Sequence, residues 1–425
     1  MKLTKKVQCA ALAVLLGLSG GALSGCGSSS SSDGRIEVAQ WYHDYGEDGT
    51  KEAVKKYAEE FNNSQDKIHV TVTVVSGDYA SKLNAALLAG NGPDVFESEP
   101  SGEHILAGHV APVDDLFGDA LSDFNQNNIQ AVTYKDKIYG VPMTDGDGLL
   151  YYRKSMLQAA GVTPPTTLDE LIAASKKLTT GKVKGLFLGN SGCTQDHIPQ
   201  LAVWSAGNEI IDSDGNVKFN NDRTVKAFNK MTQLCTSGSL LQGASTDWYD
   251  ATAFTSGQTA MQWAGQWSLP SVQEALGDDF GVVPWPALDD QGQPATWYGG
   301  WYSQVNAASK NIKAAKQFVK WLWVDNKDAQ KEWSTKFGAT APVRQSIIDD
   351  TPALNKEPAS VFMEAIKKYG HLSGGVYWST SSMTALSTAL GNVVNKGADA
   401  KTEIEKAATT IANNIEKTKA EAKVK

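Results

Sequence analysis

Residues 36–99 read IEVAQWYHDYGEDGTKEAVKKYAEEFNNSQDKIHVTVTVVSGDYASKLNAALLAGNGPDVFESE. Ile36 to Trp41 reads as a strand, and the Asp-, Gly- and Glu-rich turn after it leads to Thr50, a candidate helix cap. Val54, Tyr57, Ala58 and Phe61 recur at i, i+3, i+4 and i+7, the spacing of an amphipathic helix. Ile68, Val70, Val72 and Val74 alternate, as in a half-buried strand. Leu83, Ala86 and Leu87 mark a second helix that Gly90-Asn91-Gly92-Pro93 stops, and Asp94-Val95-Phe96 is a third strand running out into Glu97-Ser98-Glu99. Strand, helix, strand, helix, strand at this spacing predicts βαβ units on a largely parallel sheet. Ligands of such sheets bind beyond the carboxyl ends of the strands, so Trp41–Tyr45 and Glu97–Glu99 are expected to form one wall of a cleft.

The alternation continues outward. Tyr134 to Tyr152 has a strand at each end with Asp145-Gly146-Asp147-Gly148 between. Thr167-Leu168-Asp169-Glu170 is a capping box before a helix through Leu178. Leu186–Leu188 reads as a strand, and a polar segment with Gln195, Asp196 and His197 precedes an apolar helix containing Trp204. Ala315, Phe318, Val319 and Leu322 predict a helix, as do Ile404, Ala407, Ala408, Ile411 and Ile415 near the end. Trp248, Trp263, Trp267, Trp285, Trp297 and Trp301 are six of the twelve tryptophans, set among Gly, Pro, Gln and Ser rather than aliphatics. That company suits a cleft that receives a flat object, such as a sugar ring, with polar groups to orient it. Trp285, between two prolines, reads as structural, and Trp321, Trp323 and Trp333 read as helix packing.

Lys2, Lys5 and Lys6, the apolar run Ala10–Leu18 and then Leu23-Ser24-Gly25-Cys26 describe a signal peptide of residues 1–25, too short to span a bilayer. Leu-Ser-Gly-Cys resembles a lipobox, which implies cleavage before Cys26 and a lipid on its sulfur. Residues 26–34, with Ser28–Ser32, would be a flexible tether. The chain carries a net charge of −8; loss of the leader's three lysines leaves 36 basic against 47 acidic residues, a net of −11. Such an exported acidic chain is a poor partner for nucleic acid. About 390 residues beyond the tether exceed one ordinary core, which favours two lobes. Cys193 and Cys235 are candidates for one disulfide, with two buried thiols the alternative.

Four segments in order, NGPDVFESE, YKDKIYGVPMTDGDGLLYYRKSML, FTSGQTAMQWAGQW and GGWYSQVNAASKNIKAAKQFVKWL, resemble the extracellular solute-binding proteins of family 1. These are the sugar-binding subunits of bacterial ABC importers, the family of the periplasmic maltose-binding protein. The resemblance covers nearly the whole mature chain. It implies a periplasmic-binding-protein-like α/β fold of two discontinuous lobes that close like a hinge. Residues 35–143 with 303–345 would form the first lobe and 144–302 with 346–425 the second. The chain would cross near Val141–Gly148, near Tyr302–Asn306, and a third time further on.

By resemblance Trp267 is a stacking tryptophan, and His197 stands where a relative uses an aromatic against sugar, with Gln195 at a polar contact. Glu99 matches an acid that accepts sugar hydroxyls; Asp145 and Asp147 flank another, and which of them faces the cleft stays open. Trp301, after Gly300, matches a cleft aromatic. Trp378 falls near a stacking position for which Tyr377 is an alternative, and Arg344 is a looser match. His43, Asp44 and Glu97 join the list from the strand-end rule. Carboxylates suit paired hydroxyls because charge-assisted hydrogen bonds are the stronger ones.

The implied partners are an oligosaccharide, the transmembrane permease subunits and a separate ATPase subunit, since the chain has no GxxxxGK[ST] phosphate loop. The expected location is outside the cytoplasm, anchored to the cell membrane through Cys26, as a monomer. No cofactor or metal is expected: the chain lacks HExxH, GxSxG in its mature part, and closely spaced Cys/His ligands. The alternatives are a binder of a polyamine, peptide or metal chelate, and an exported glycoside-active enzyme, which would need two opposed carboxylates.

Overall fold

The computed structural model describes residues 34–46, 49–100, 102–337, 340–372 and 375–422. The signal-peptide, Cys26 and most of the tether readings lie outside the described residues.

The described residues form twelve strands: β1 (Ile36–His43), β2 (Ile68–Val75), β3 (Val95–Ser98), β4 (Thr133–Tyr134), β5 (Lys137–Ile138), β6 (Val141–Pro142), β7 (Gly146–Arg153), β8 (Met261–Gly265), β9 (Phe280–Val283), β10 (Thr296–Gly299), β11 (Tyr302–Val305) and β12 (Gly370–Leu372). The first sheet has the order β2-β1-β3-β11-β6. β1 runs parallel to β2, from Ile36 opposite Ile68 to His43 opposite Val75, and parallel to β3. β11 is antiparallel to both β3 and β6. The parallel expectation thus holds for the three strands joined by helices. It fails for β11, which enters from the other lobe and needs no helical crossover; β6, antiparallel to β11, runs the same way as the first three.

Helix Thr50–Ser64 packs on this sheet through Val54, Tyr57, Ala58 and Phe61, all buried. Each large side chain of that stripe contributes about 2 kcal/mol of burial. Thr50 does not cap the helix; Gly49, at φ +84°, takes the cap position without a side-chain bond. The Thr167–Glu170 capping box forms, with both reciprocal bonds.

The second sheet has the order β12-β10-β7-β8, and β9 also pairs with β7. Gly146-Asp147-Gly148 is not a turn but the start of β7. Leu186–Leu188 makes only single bridges, to Leu240 and Gln262. The long helices Thr380–Lys396 and Ala400–Glu421 close this side, the latter burying Ile404, Ala407, Ala408, Ile411 and Ile415. Helix Ile312–Lys320 continues as a wider π-turn, Trp321–Asp325. Two large cores result. One gathers Val38, Phe61, Phe96 and Trp323 around the first sheet; the other gathers Trp204, Trp263, Trp285 and Ile404 around the second.

The chain passes between the sheets at residues 143–145, between β6 and β7, and at Gly300–Trp301, just ahead of β11. Asp145 exchanges both backbone hydrogen bonds with Ala341, and the Met143 amide donates to Trp301 at 2.9 Å. The segment at Ala341 therefore lies beside these two crossings. At Gly300 a β-carbon would sit 1.6 Å from the Thr144 carbonyl oxygen, so only glycine lets these backbones meet.

Candidate functional site

A cavity of about 420 Å³ opens between the two sheets, within the range of small-ligand sites. From the first lobe it is lined by His43, Asp44 and Tyr45 past the end of β1, by Glu99 and Pro100 past β3, and by Trp301 and Trp333. From the second it is lined by Asp196, His197, Trp248, Tyr249, Trp267 and Trp297. Thr144, Gly146, Gly299, Gly300 and Thr340 of the crossing segments form its floor.

Each wall is an aromatic cluster. On the first, His43 stacks on Trp301 at 3.9 Å between centroids and 23° between planes, and Tyr45 stands edge-on to Trp333 at 5.1 Å. On the second, Trp248 meets Trp267 edge-on at 5.5 Å, Trp297 lies 6.2 Å from Trp267, and His197 packs 4.5 Å from Trp297. Strand glycines seat these indoles. A β-carbon on Gly265 would meet the Trp267 ring at 2.2 Å, and one on Gly148 would meet Trp263 at 2.5 Å and Trp297 at 2.7 Å. Gly148 and Gly265 are cross-strand partners, so the sheet end is bare backbone on which rings lie flat. That is why Gly146-Asp147-Gly148 can be strand. The Trp267 Nε1–H donates to the Tyr249 carbonyl at 2.9 Å, which fixes the ring.

Glu97 is fully buried and does not face the cavity. Its carboxylate accepts from the His43 amide at 2.6 Å and from the Tyr45 hydroxyl, and it contacts His43 Nδ1. It is a strut under the aromatic wall, since a buried carboxylate needs such partners. Asp44 lines the cavity but is paired with Lys51 at 2.9 Å, and the bonds from Lys51 and Ser76 hold its carboxyl below the ordinary value. Glu99 projects into the space. Enclosure by protein pushes its carboxyl up, His197 and His43 pull it back, and Asp196 pushes it further.

Several expected site residues lie elsewhere. Asp145 and Asp147 are buried on the side away from the cavity, while their neighbours Thr144 and Gly146 line it, as extended-chain alternation requires. Burial raises Asp145 to about 7 against the amides of Asn128 and Asn125, and pushes Asp147 well above the carboxylate range with Asp145 adding to it. Arg344 is buried; its Nε donates to Asp123 at 2.8 Å and its Nη1 to the Val324 carbonyl at 2.6 Å. It clamps a loop and does not line the cavity. Trp378 is packed in the second core beneath helix Thr380–Lys396, and Tyr377 lies against Gly215, so neither lines the cavity. Gln195 turns back to accept from the Ser191 amide at 3.1 Å.

Cys193 and Cys235 are joined, with Cα atoms 6.2 Å apart. The bridge ties the turn ahead of Asp196 and His197 to the end of helix Asp222–Cys235. Among the described residues, no group of His, Cys, Asp and Glu side chains is placed to hold a metal ion, and no helix is long and apolar enough to cross a membrane.

Sequence reasoning passed over Trp333, whose helical setting read as packing, and over Tyr249. Tyr45 was within its expected wall, and Trp248 and Trp297 within its tryptophan cluster, but they were not singled out.

Two α/β lobes joined by crossing segments, with an aromatic cavity between them, define a capture protein for a solute. The sequence model of the bacterial extracellular solute-binding proteins matches residues 56–364. The chain belongs to that family, one of binding proteins that work outside the cytoplasm. It is 25% identical to the multiple sugar-binding protein of Streptococcus mutans serotype c, over 76% of this chain and 79% of that one. It is 24% identical to the galactooligosaccharide-binding protein of Bacillus subtilis strain 168, over 98% of each. A solute-binding protein of Thermotoga lettingae bound with alpha-D-tagatose superposes with a TM-score of 0.75 at 22% identity, covering 89% of this chain and 99% of that one. The GacH receptor of Streptomyces glaucescens, solved unliganded and with acarbose, gives 0.74 at 24% identity, covering 90% and 98%.

Proposed function

We propose that this chain is the receptor of an ABC importer and captures an oligosaccharide between its lobes. The observation that carries the reading is the pair of facing aromatic walls, His43–Trp301–Tyr45–Trp333 against Trp267–Trp248–Trp297–His197. Two ring faces suit the C–H faces of successive sugar units. Glu99, Asp196, Thr144 and Thr340 offer hydroxyl-binding atoms between them. The names of the Streptococcus and Bacillus relatives support the same class of ligand.

In this reading Trp267, Trp301, His43, His197, Glu99, Asp44 and Gly300 touch the ligand, and Tyr45, Trp248, Trp297 and Trp333 complete the walls. Ligand shifts the lobes to the closed form by binding it more tightly than the open one. The closed monomer delivers to permease subunits driven by a separate ATPase, and a lipid on Cys26 keeps it at the membrane. Lobe boundaries at 35–143 with 303–345, and 144–302 with 346–425, describe the moving parts.

The test is the melting temperature of the protein from Ser28 onward against a panel of oligosaccharides, with the mixtures checked for product. A saturating ligand at a hundredfold excess over Kd stabilises the fold by about 2.7 kcal/mol. A rise with one glycan and no product is the expected result. Product formation would replace this reading with an enzyme; a rise only with spermidine or a peptide would replace the ligand class.

A further inference from the structure

The charges lining the cavity are unbalanced. Its lining holds three carboxylates, Asp44, Glu99 and Asp196, and two histidines, and among the described residues it holds no Lys or Arg. Asp44 is neutralised by Lys51. Among the described residues Glu99 and Asp196 form no ion pair with a lysine or arginine. Asp196 has only His197 Nε2, at 3.5 Å, and the other nitrogen of that ring is engaged with Gln200 Oε1 at 2.8 Å. Glu99 comes from the first lobe and Asp196 from the second, and both line the one cavity, where the charge of Asp196 pushes the Glu99 carboxyl up and His197 opposes it. Both are open to solvent in this form, and a pair of like charges brought together as the lobes close costs free energy unless something positive, or a proton donor to both, stands between them. His197 and His43 oppose the charge at Glu99, but neither is a permanent cation, and the Nδ1 of each is already engaged, by Gln200 and by Glu97.

We infer that the cavity is built for an oligosaccharide bearing a protonated amine, held between Glu99 and Asp196, and that it rejects acidic sugars. This rests on the oligosaccharide reading above and narrows it to amino sugars. An ammonium group is a donor to both carboxylates at once and cancels the repulsion that closure brings. A neutral hydroxyl donates one hydrogen bond and leaves the second carboxylate to water. A uronate adds a third negative charge where none is balanced. The preference is thus set as much by repulsion of the wrong ligand as by attraction of the right one. The ring of the amino sugar would lie on Trp267 or Trp301, whose π faces also favour an adjacent cation.

The experiment is titration calorimetry at mildly acid pH with matched panels: glucosamine oligosaccharides, the neutral glucose oligosaccharides of the same linkage, and oligouronates, with spermidine beside them. The expected result is about tenfold tighter binding of the amino sugar than of its neutral parent, and none of the uronate. That advantage should fall to near parity in Glu99→Gln and in Asp196→Asn, whose stacking walls are intact. Equal affinities, an advantage that survives both substitutions, or a uronate that binds best would overturn the inference. Binding of spermidine without any sugar would overturn the oligosaccharide reading, and the amino-sugar inference with it. A ligand-free measurement decides the matter when no glycan of the panel binds. The Glu99 carboxyl, followed by its carbon NMR signal, should titrate lower in Asp196→Asn than in the parent. An unchanged titration would mean that the two carboxylates do not confront each other, and the inference would fall.

Discussion

At the scale of single residues, burial separates tryptophans that are equivalent by composition. Trp267 lies over Gly265 at the cavity, whereas Trp378 is 8% exposed and sits in the second core. Trp267→Ala should therefore weaken glycan binding by about 2 kcal/mol, near thirtyfold in Kd, with little change in melting temperature. Trp378→Ala should do the reverse and cost about 3–5 kcal/mol of stability. Calorimetry and thermal unfolding of the two variants side by side check this; loss of affinity in both with stability intact would return Trp378 to the ligand. Gly265→Ala should mimic the Trp267 loss, because the new methyl occupies the place of the indole.

Asp145 makes a pH prediction at the same scale. Its folded value of about 7 stands above the ordinary carboxylate value through burial. Between roughly pH 4 and pH 7 the folded state then holds a proton that the unfolded chain has released. Stability falls as pH rises through that window, the sign that linkage gives when the native state binds more protons. Asp145→Asn should flatten this slope and raise the melting temperature at pH 7.5 relative to pH 5. A variant with the parent's slope would assign the dependence to other groups.

At the scale of elements, the turn that carries Asp196 and His197 is held by the Cys193–Cys235 bridge across 42 residues. The chain-entropy estimate for a loop of that length is about 4 kcal/mol. Cys193→Ser with Cys235→Ser should lower stability by an amount of this order, read by denaturant unfolding. The same double variant should weaken ligand binding more than remote destabilisation does, since the bridge anchors one cavity wall. Unfolding midpoints equal to those of the parent would contradict the assignment. Edge contacts matter here too: at the start of helix Thr380–Lys396 the Thr380 amide donates to the Glu103 carboxylate of the other lobe at 3.1 Å.

At the scale of the whole molecule, the two crossing segments and the Ala341 segment beside them pair so closely that motion between lobes must bend them together. Gly300 is the tightest point, with the Thr144 carbonyl where any side chain would begin. Gly300→Ala should force the crossing strands apart. The expected readout is small-angle scattering: the parent should contract on binding a saturating glycan, and the variant should contract less. A parent whose radius of gyration does not change on saturation would mean that capture involves no closure.

Much of this was legible in local pattern. The period of the apolar residues in 36–99 predicted β1, β2, β3 and the helices between them, because one buried face imposes that period on any such element. The same strands ended at His43–Tyr45 and Glu99, which line the cavity, because chain direction alone says where a parallel strand runs out. The clustering of tryptophan with glycine around residues 257–301 was readable for a similar reason: a bare backbone is what lets an indole lie flat. What a one-dimensional pattern does not carry is which way a side chain points once segments far apart in the chain are brought together. Glu97 and Glu99 differ by two positions and share a composition, yet one is a buried strut and the other projects into the cleft, since the chain leaves the sheet between them. Asp145 turns away from the cleft and Thr144 lines it because the pairing with Ala341 sets the face of that strand. Arg344 is taken by Asp123, a partner 221 residues away in sequence. Trp333 reaches the cavity only because its helix lies behind Tyr45. Periodicity is a local property and was determined by the sequence itself; the facing of polar groups across long separations depends on packing, and only the tertiary structure decided it.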